Sequence, residues 1–365
     1  MIKILNTALA LAAVGSLAFA GTPGSDWTGL DKDMSLATAD AHMKGGPSMG
    51  ALIRSSLDFS SDDGYTIGVG NEDLQGITFQ NAVLWAQGDI GEFWWRLSFD
   101  FASGTGIPDN GAGDGIGGAS LEDAYAKWSC NDQIAVTMGQ FKAPVSRSNS
   151  ISDGNLMFID RTLIGQEFDT YDPGLMVGGS FEQFCWDVAL QNGEDNASED
   201  FALSARGEYA FNGGAGCCEG GYGKKDGTTG SIGVGYWNDS DDSVDGSVIV
   251  VDGSVSFSRF TVMAEFANVD EEIAQNLNYG SYTDDASVWA LGVSYMLQPE
   301  EWEVAVRMQD CDDDDDSSVI TAGLNWYHGG HNAKWQLNVS DYSSDVSAAE
   351  GTLIQVGLTL GCLGC

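Results

Sequence analysis

Lys142, Arg147 and Arg161 fall close together in a 365-residue chain that holds only 15 Lys and Arg against 54 Asp and Glu, a formal charge of −39. Asp160 and Glu167 sit among them, in the stretch GQFKAPVSRSNSISDGNLMFIDRTLIGQEFDTYDPG, residues 139–174. Such a group can set the field met by a passing charged solute. Enzyme chemistry finds little footing: the three histidines, His42, His328 and His331, lie in an N-terminal lead and a Gly-rich turn, which leaves a hydrolase no well-placed His base. The chain is read as a non-enzyme.

The segments around the loop must hold it in place, and they alternate with period two. In EFWWRLSFDF, Phe93, Trp95, Leu97, Phe99 and Phe101 share one face, with Trp94, Arg96, Ser98 and Asp100 on the other. Trp302, Val304, Val306 and Met308 oppose Glu303, Arg307 and Gln309 in the same way. Sixteen such strands are expected, at 49–59, 76–88, 92–103, 119–130, 132–141, 173–183, 185–193, 200–212, 229–238, 247–258, 260–269, 285–297, 301–310, 317–327, 331–342 and 349–361. Many have the length of about ten residues that a tilted strand needs to cross a bilayer. A secreted β-sandwich or propeller also alternates, so the period alone leaves that fold open.

The connections separate these readings. With the N-terminus taken as periplasmic, every second connection is short, except residues 212–228; the intervening set is longer or more acidic. This is the parity of an outer-membrane barrel. The expected fold is an all-β, transmembrane antiparallel β-barrel of about sixteen strands, with residues 142–172 folded inward as a constriction loop. Residues 1–20 read as a signal peptide, with Lys3, an apolar run and Ala18-Phe19-Ala20 before Gly21. Residues 21–48 read as a short periplasmic lead and 49–365 as the barrel. No later run is apolar enough to form a spanning helix. The acidity excludes nucleic acid and anionic lipid surfaces as partners.

The segments VTMGQFKAPVSRSNSISDGNLMFIDRTL, EFWWRLSFDFASG, LEDAYAKW, ALSARGEYAFN and LNWYHGGHNAKWQLNVSDY resemble the phosphate-selective porin O and P family, in order along most of the mature chain. That resemblance implies a sixteen-stranded barrel in the outer membrane of a diderm bacterium, usually trimeric, passing anions through a lumen lined by Arg and Lys. The strand phases put Arg54, Arg96, Lys127, Arg206, Arg307 and Lys334 on the lumen wall, facing the loop cations. They also turn Asp58, Asp100, Asp123, Asp187, Glu208, Glu265 and Glu303 inward, while Asp153, Asp160, Glu167 and Asp169 lie in the loop. Opposite charges on one wall can pair and cancel. General diffusion of small hydrophilic solutes and ions is therefore preferred to strict phosphate selectivity, and a surface barrel acting as an adhesin is the alternative.

No cofactor is expected. Asp312, Asp314 and Asp316, in the run CDDDDD, are the candidates for a weak surface Ca²⁺ site, as is DSDD at 239–242; neither has the spaced ligands and glycine of an EF-hand, so a solvated charge run is the preferred reading. Of seven cysteines, Cys130, Cys185, Cys217, Cys218, Cys362 and Cys365 map to the periplasmic rim and Cys311 to the outside. Their clustering permits disulfides without choosing a pairing. The chain ends on Leu360-Gly361-Cys362-Leu363-Gly364-Cys365, whereas barrels of this kind usually end on an aromatic residue.

Overall fold

Alternation carries through to a closed antiparallel barrel in the computed structural model, which describes residues 46–60, 75–102, 119–193, 201–214, 216–224, 227–240, 245–277, 279–345 and 350–361. The expected signal peptide, nearly all of the lead, His42, Asp241, Asp242, Cys362 and Cys365 lie outside these residues. The strands are β1 (Ser48–Ser60), β2 (Gln75–Ile90), β3 (Phe93–Asp100), β4 (Ser120–Ser129), β5 (Ile134–Lys142), β6 (Tyr171–Phe181), β7 (Phe184–Gln191) and β8 (Ala202–Phe211). They continue as β9 (Thr228–Ser240), β10 (Asp245–Phe257), β11 (Phe260–Val269), β12 (Ala286–Gln298), β13 (Trp302–Asp310), β14 (Ser318–Tyr327), β15 (Ala333–Ser343) and β16 (Gly351–Gly361). Each pairs with its neighbours in sequence, and β1 closes on β16 from Leu52 opposite Gly361 to Ser60 opposite Leu353. Closure leaves no unpaired sheet edge, which is what a lipid surround demands.

The pleat sorts the side chains by solvent. On β15, Lys334, Gln336 and Asn338 point inward and are buried, while Trp335, Leu337 and Val339 point out. On β13, Glu303 and Arg307 are inside, with Val306 and Met308 outside. Aromatic rings band the turn end of this wall: Trp302 stacks on Trp326 across the β13–β14 pair with ring centroids 5.6 Å apart. An apolar outer face with aromatic girdles suits a bilayer.

Two departures from simple alternation shape the lumen. Between Leu97 and Phe99 the β3–β4 register shifts, so Leu97 pairs with Ala124 but Phe99 with Leu121. This bulge turns both Glu122 and Asp123 inward, where Ser98 Oγ reaches each. Plain alternation would aim one of these acids at lipid. The second is the long connection from β8 to β9, whose residues 216–224 form a turn-end insert bonded to the loop and to the barrel wall.

Candidate pore constriction

The loop between β5 and β6 is held by its own caps and then by the wall. Ser146 and Asn149 form a capping box on the short helix α1 (Arg147–Ser150), and Thr162 caps α2 (Leu163–Glu167). A 3₁₀ turn (Asp153–Asn155) lies between them. Glu265 of β11 joins the two helices, accepting from Ser148 Oγ at 2.6 Å and from Thr162 Oγ1 at 2.5 Å. Asp252 of β10 accepts the Arg147 backbone N–H at 3.0 Å, and Gln309 of β13 accepts that of Leu163 at 3.0 Å.

Between the helices the loop is extended, so its carbonyls need donors. The wall supplies them. Asn325 and Gln336 donate to Met157 O at 2.9 and 3.0 Å, Arg307 donates to Asp160 O at 2.9 Å, and Lys334 and Arg54 donate to Leu156 O and Ile159 O. Arg206 reaches Val145 O at 3.3 Å while gripping Asp252 through both nitrogens at 2.6 and 2.8 Å. Glycines on the wall leave room for this approach: a Cβ on Gly235 would lie 1.7 Å from Val145 O, and one on Gly357 would lie 2.9 Å from Ile159 Cδ1. Val145, Leu163, Ile164 and Phe168 then pack into an apolar cluster with the inward faces of Trp237, Val248, Val250, Ala267 and Val269. The loop is thus pressed onto the β8–β16 side of the barrel.

Three of the water-sized cavities beside the loop bear on the path through the lumen. One cavity of about 340 Å³ lies between Ser150–Ser152 of the loop and the β3–β7 wall, with Arg96, Lys127 and Lys142 facing Asp123 and Asp187. A second, about 300 Å³, shares Lys127, Thr137, Met176 and Asp187 with it and extends to the turn at 131–133. A third, about 290 Å³, lies across the loop, where Arg54, Arg161 and Arg307 meet Asp153, Asp160 and Asp169.

The loop residues singled out from sequence divide between these spaces. Lys142 pairs with Asp169 and lies over the Tyr171 ring, 4.9 Å from its centroid, facing the first cavity. Arg161, only 3% exposed, donates to Asp153 at 2.8 Å and to Ser148 O, forms an ion pair with Asp169 at 3.1 Å, and so fastens the loop to itself. Arg147 donates to Gly216 O and Cys218 O at 2.8 and 3.2 Å, tying the loop to the turn-end insert. Asp160 lines the third cavity, and Glu167 is half-buried at the end of α2.

All six predicted wall cations face the lumen, but four of them, Arg54, Arg206, Arg307 and Lys334, donate to loop carbonyls. Arg96 pairs with Asp123 at 2.6 Å. Lys127 is exposed to the lumen and makes no ion pair among the described residues. Sequence reasoning missed Glu122, hidden by the bulge, and the apolar inner positions Val248 and Val250. The run Val248-Ile249-Val250-Val251 carried the signal for the latter, since a strand apolar on both faces is packed on both.

Among the described residues no three His, Cys, Asp or Glu side chains gather to hold a metal ion. In the acidic loop Asp312 accepts from Ser287 N and Asp314 from Thr283 Oγ1, while Asp316 occupies the left-handed region at φ 49°. Cys311 is fully buried there, and burial pushes its thiol up to about 12.

The family model described as phosphate-selective porin O and P matches residues 53–229, a little under half of the chain and inclusive of the constriction loop. The chain has the fold of an outer-membrane porin, and residues 53–229 resemble that family. Solved porin barrels superpose on nearly its whole length. OprB of Pseudomonas putida aligns with a TM-score of 0.58 at 11% identity, covering 90% of this chain and 96% of its own. The outer-membrane channel DcaP of Acinetobacter baumannii gives 0.56 at 15% identity, covering 87% and 97%. The anion-selective porin from Comamonas acidovorans gives 0.55 at 11%, covering 87% and 99%. No curated protein sequence matches the chain. At these identities the superpositions establish the barrel, and the family match carries the resemblance read from the sequence.

Proposed function

We propose that this porin is a water-filled outer-membrane channel through which small hydrophilic solutes and inorganic ions diffuse passively. The observation that carries this reading is the lumen cavity in which Arg96, Lys127 and Lys142 face Asp123 and Asp187, beside a loop that fills the opposite side of the barrel. Most wall cations are engaged by loop carbonyls or carboxylates, so no ladder of open cations is available to strip water from phosphate. Weak ion preference fits this arrangement better than phosphate specificity. The Comamonas barrel is described as anion-selective, which makes the anion arm worth testing here. The chain is exported by cleavage after Ala20, and it assembles as a trimer, as the family resemblance implies.

The test is the zero-current potential of the purified protein in a planar bilayer across a steep KCl gradient, repeated with phosphate. Conductance with a small potential and no phosphate block is expected. Strong anion selectivity with phosphate block would assign the channel to phosphate instead. Absence of conductance would overturn the channel reading in favour of a surface barrel.

A further inference from the structure

Charges of both signs line the water path beside the loop. Arg96 bonds to Asp123 at 2.6 Å, and Lys142 pairs with Asp169. At contact each of these pairs presents a small dipole to a solute rather than a full charge. Lys127 and Asp187 form a much wider pair. Both line the cavity of about 340 Å³ and the cavity of about 300 Å³ that continues it, and their charges act on each other across that space.

The sheet register sets how wide. Lys127 is opposite Thr137, Thr137 opposite Met176 and Met176 opposite Ala189, so Asp187 lies three strands and two residues from Lys127. At about 4.8 Å per strand and 3.4 Å per residue, the two Cα atoms are about 16 Å apart. Gly178 brings the charges closer than that. It is the cross-strand partner of Asp187, and a Cβ on it would lie 1.9 Å from Asp187 Oδ1. The carboxylate therefore leans across β6 toward β4, over a position that only glycine leaves empty. With Lys127 extended toward it, an opening of about 6–9 Å remains between ammonium and carboxylate.

That opening discriminates among solutes. An inorganic anion is attracted by Lys127 and repelled by Asp187, and a cation meets the reverse. Phosphate has no cationic end to offer Asp187. An α-amino acid carries its ammonium and carboxylate about 3 Å apart, and one charged hydrogen bond of about 2.8 Å at each end gives it the span of the opening. Thr137 and Met176 lie between the two charges and also line both cavities, so the floor under such a solute is uncharged.

We propose, on the strength of the channel reading above, that this lumen favours small zwitterions of the α-amino-acid class over inorganic anions and over uncharged solutes of equal size. Lys127 takes the carboxylate end and Asp187 the ammonium end. A solute stabilised in the narrow section enters it more often, so its flux at low concentration rises.

The test is the swelling of proteoliposomes of the full-length protein in isosmotic alanine and in its uncharged isomer lactamide, with the rates of protein-free liposomes subtracted. Alanine should enter about threefold faster, the effect of two solvent-exposed charge contacts. Lys127→Gln and Asp187→Asn should each lower that ratio, and the double variant should abolish the preference. Gly178→Ala keeps both charges but displaces the carboxylate, and it should lower the ratio as well. Alanine entering no faster than lactamide in the wild type, or a preference that survives in the double variant, would overturn the amino-acid class and leave the channel standing. Lactamide reports the channel itself: if neither solute enters, the channel reading fails and the amino-acid class falls with it.

Discussion

At the scale of single residues, charge in this lumen first fastens the loop. Arg161 is enclosed by Asp153, Asp169 and Ser148 O, and Asp153 also lies 3.5 Å from Arg54. Removing one member of a buried ion network leaves its partners desolvated, at a cost of about 3–5 kcal/mol. Arg161→Met should therefore lower the thermal midpoint of the purified barrel and produce larger, noisier single-channel currents as the loop loosens. Adding Asp153→Asn should recover part of the stability, because one stranded charge is then gone. Unchanged stability and quiet channels in the single variant would show that carbonyl tethers such as those from Asn325 and Gln336 suffice.

At the scale of elements, the strands were legible because lipid and lumen impose opposite polarity on successive residues. β13 is the example: the expected 301–310 and the observed Trp302–Asp310 agree with their faces in phase. Glu122 was illegible because a bulge breaks the period that exposes everything else. The role of the wall cations was illegible because it depends on carbonyls from residues 145–160, far away in sequence. Residues 212–228 broke the rule of short turns in the sequence, and that was the trace of the insert. One anchor of the insert is sensitive to pH. His331 is 7% exposed, and burial, with Lys334 adding to it, holds its imidazole well below the ordinary value; Lys224 acts in the same direction. The unfolded turn takes up this proton near pH 6.5, whereas the folded turn resists it. The neutral ring's contribution is therefore complete above about pH 6.5 and is lost as the pH falls further. Hydrogen exchange in residues 216–224, corrected for intrinsic rates, should rise between pH 7 and pH 5 in the wild type. In His331→Phe, which keeps a ring against Tyr222 but cannot titrate, the rise should vanish; a rise of equal size there would place the pH response elsewhere.

At the scale of the whole molecule, a strongly acidic chain surrounds a lumen in which the charges nearly balance. The acidic connection from Asp312 to Asp316 lies at the loop end, whereas the narrow space holds Lys127 on β4 and Asp187 on β7, two strands of one wall. These two levels act over different ranges. Mouth charges act through solution and fade once the Debye length shrinks from about 10 Å at 0.1 M salt to about 3 Å at 1 M. A charge lining the narrow space meets the ion directly and is screened less. Selectivity at high salt should then report the lumen alone, and Lys127 is the side chain best placed to set it. Lys127→Glu should move the zero-current potential toward cations at both salt concentrations, and Asp187→Asn should move it toward anions. Neutralising Asp312, Asp314 and Asp316 together should shift the potential only in dilute salt. If Lys127→Glu lost its effect at high salt, that lysine would be acting through bulk solution, and the path taken by ions would have to run through the cavity beside Arg54 and Arg307 instead.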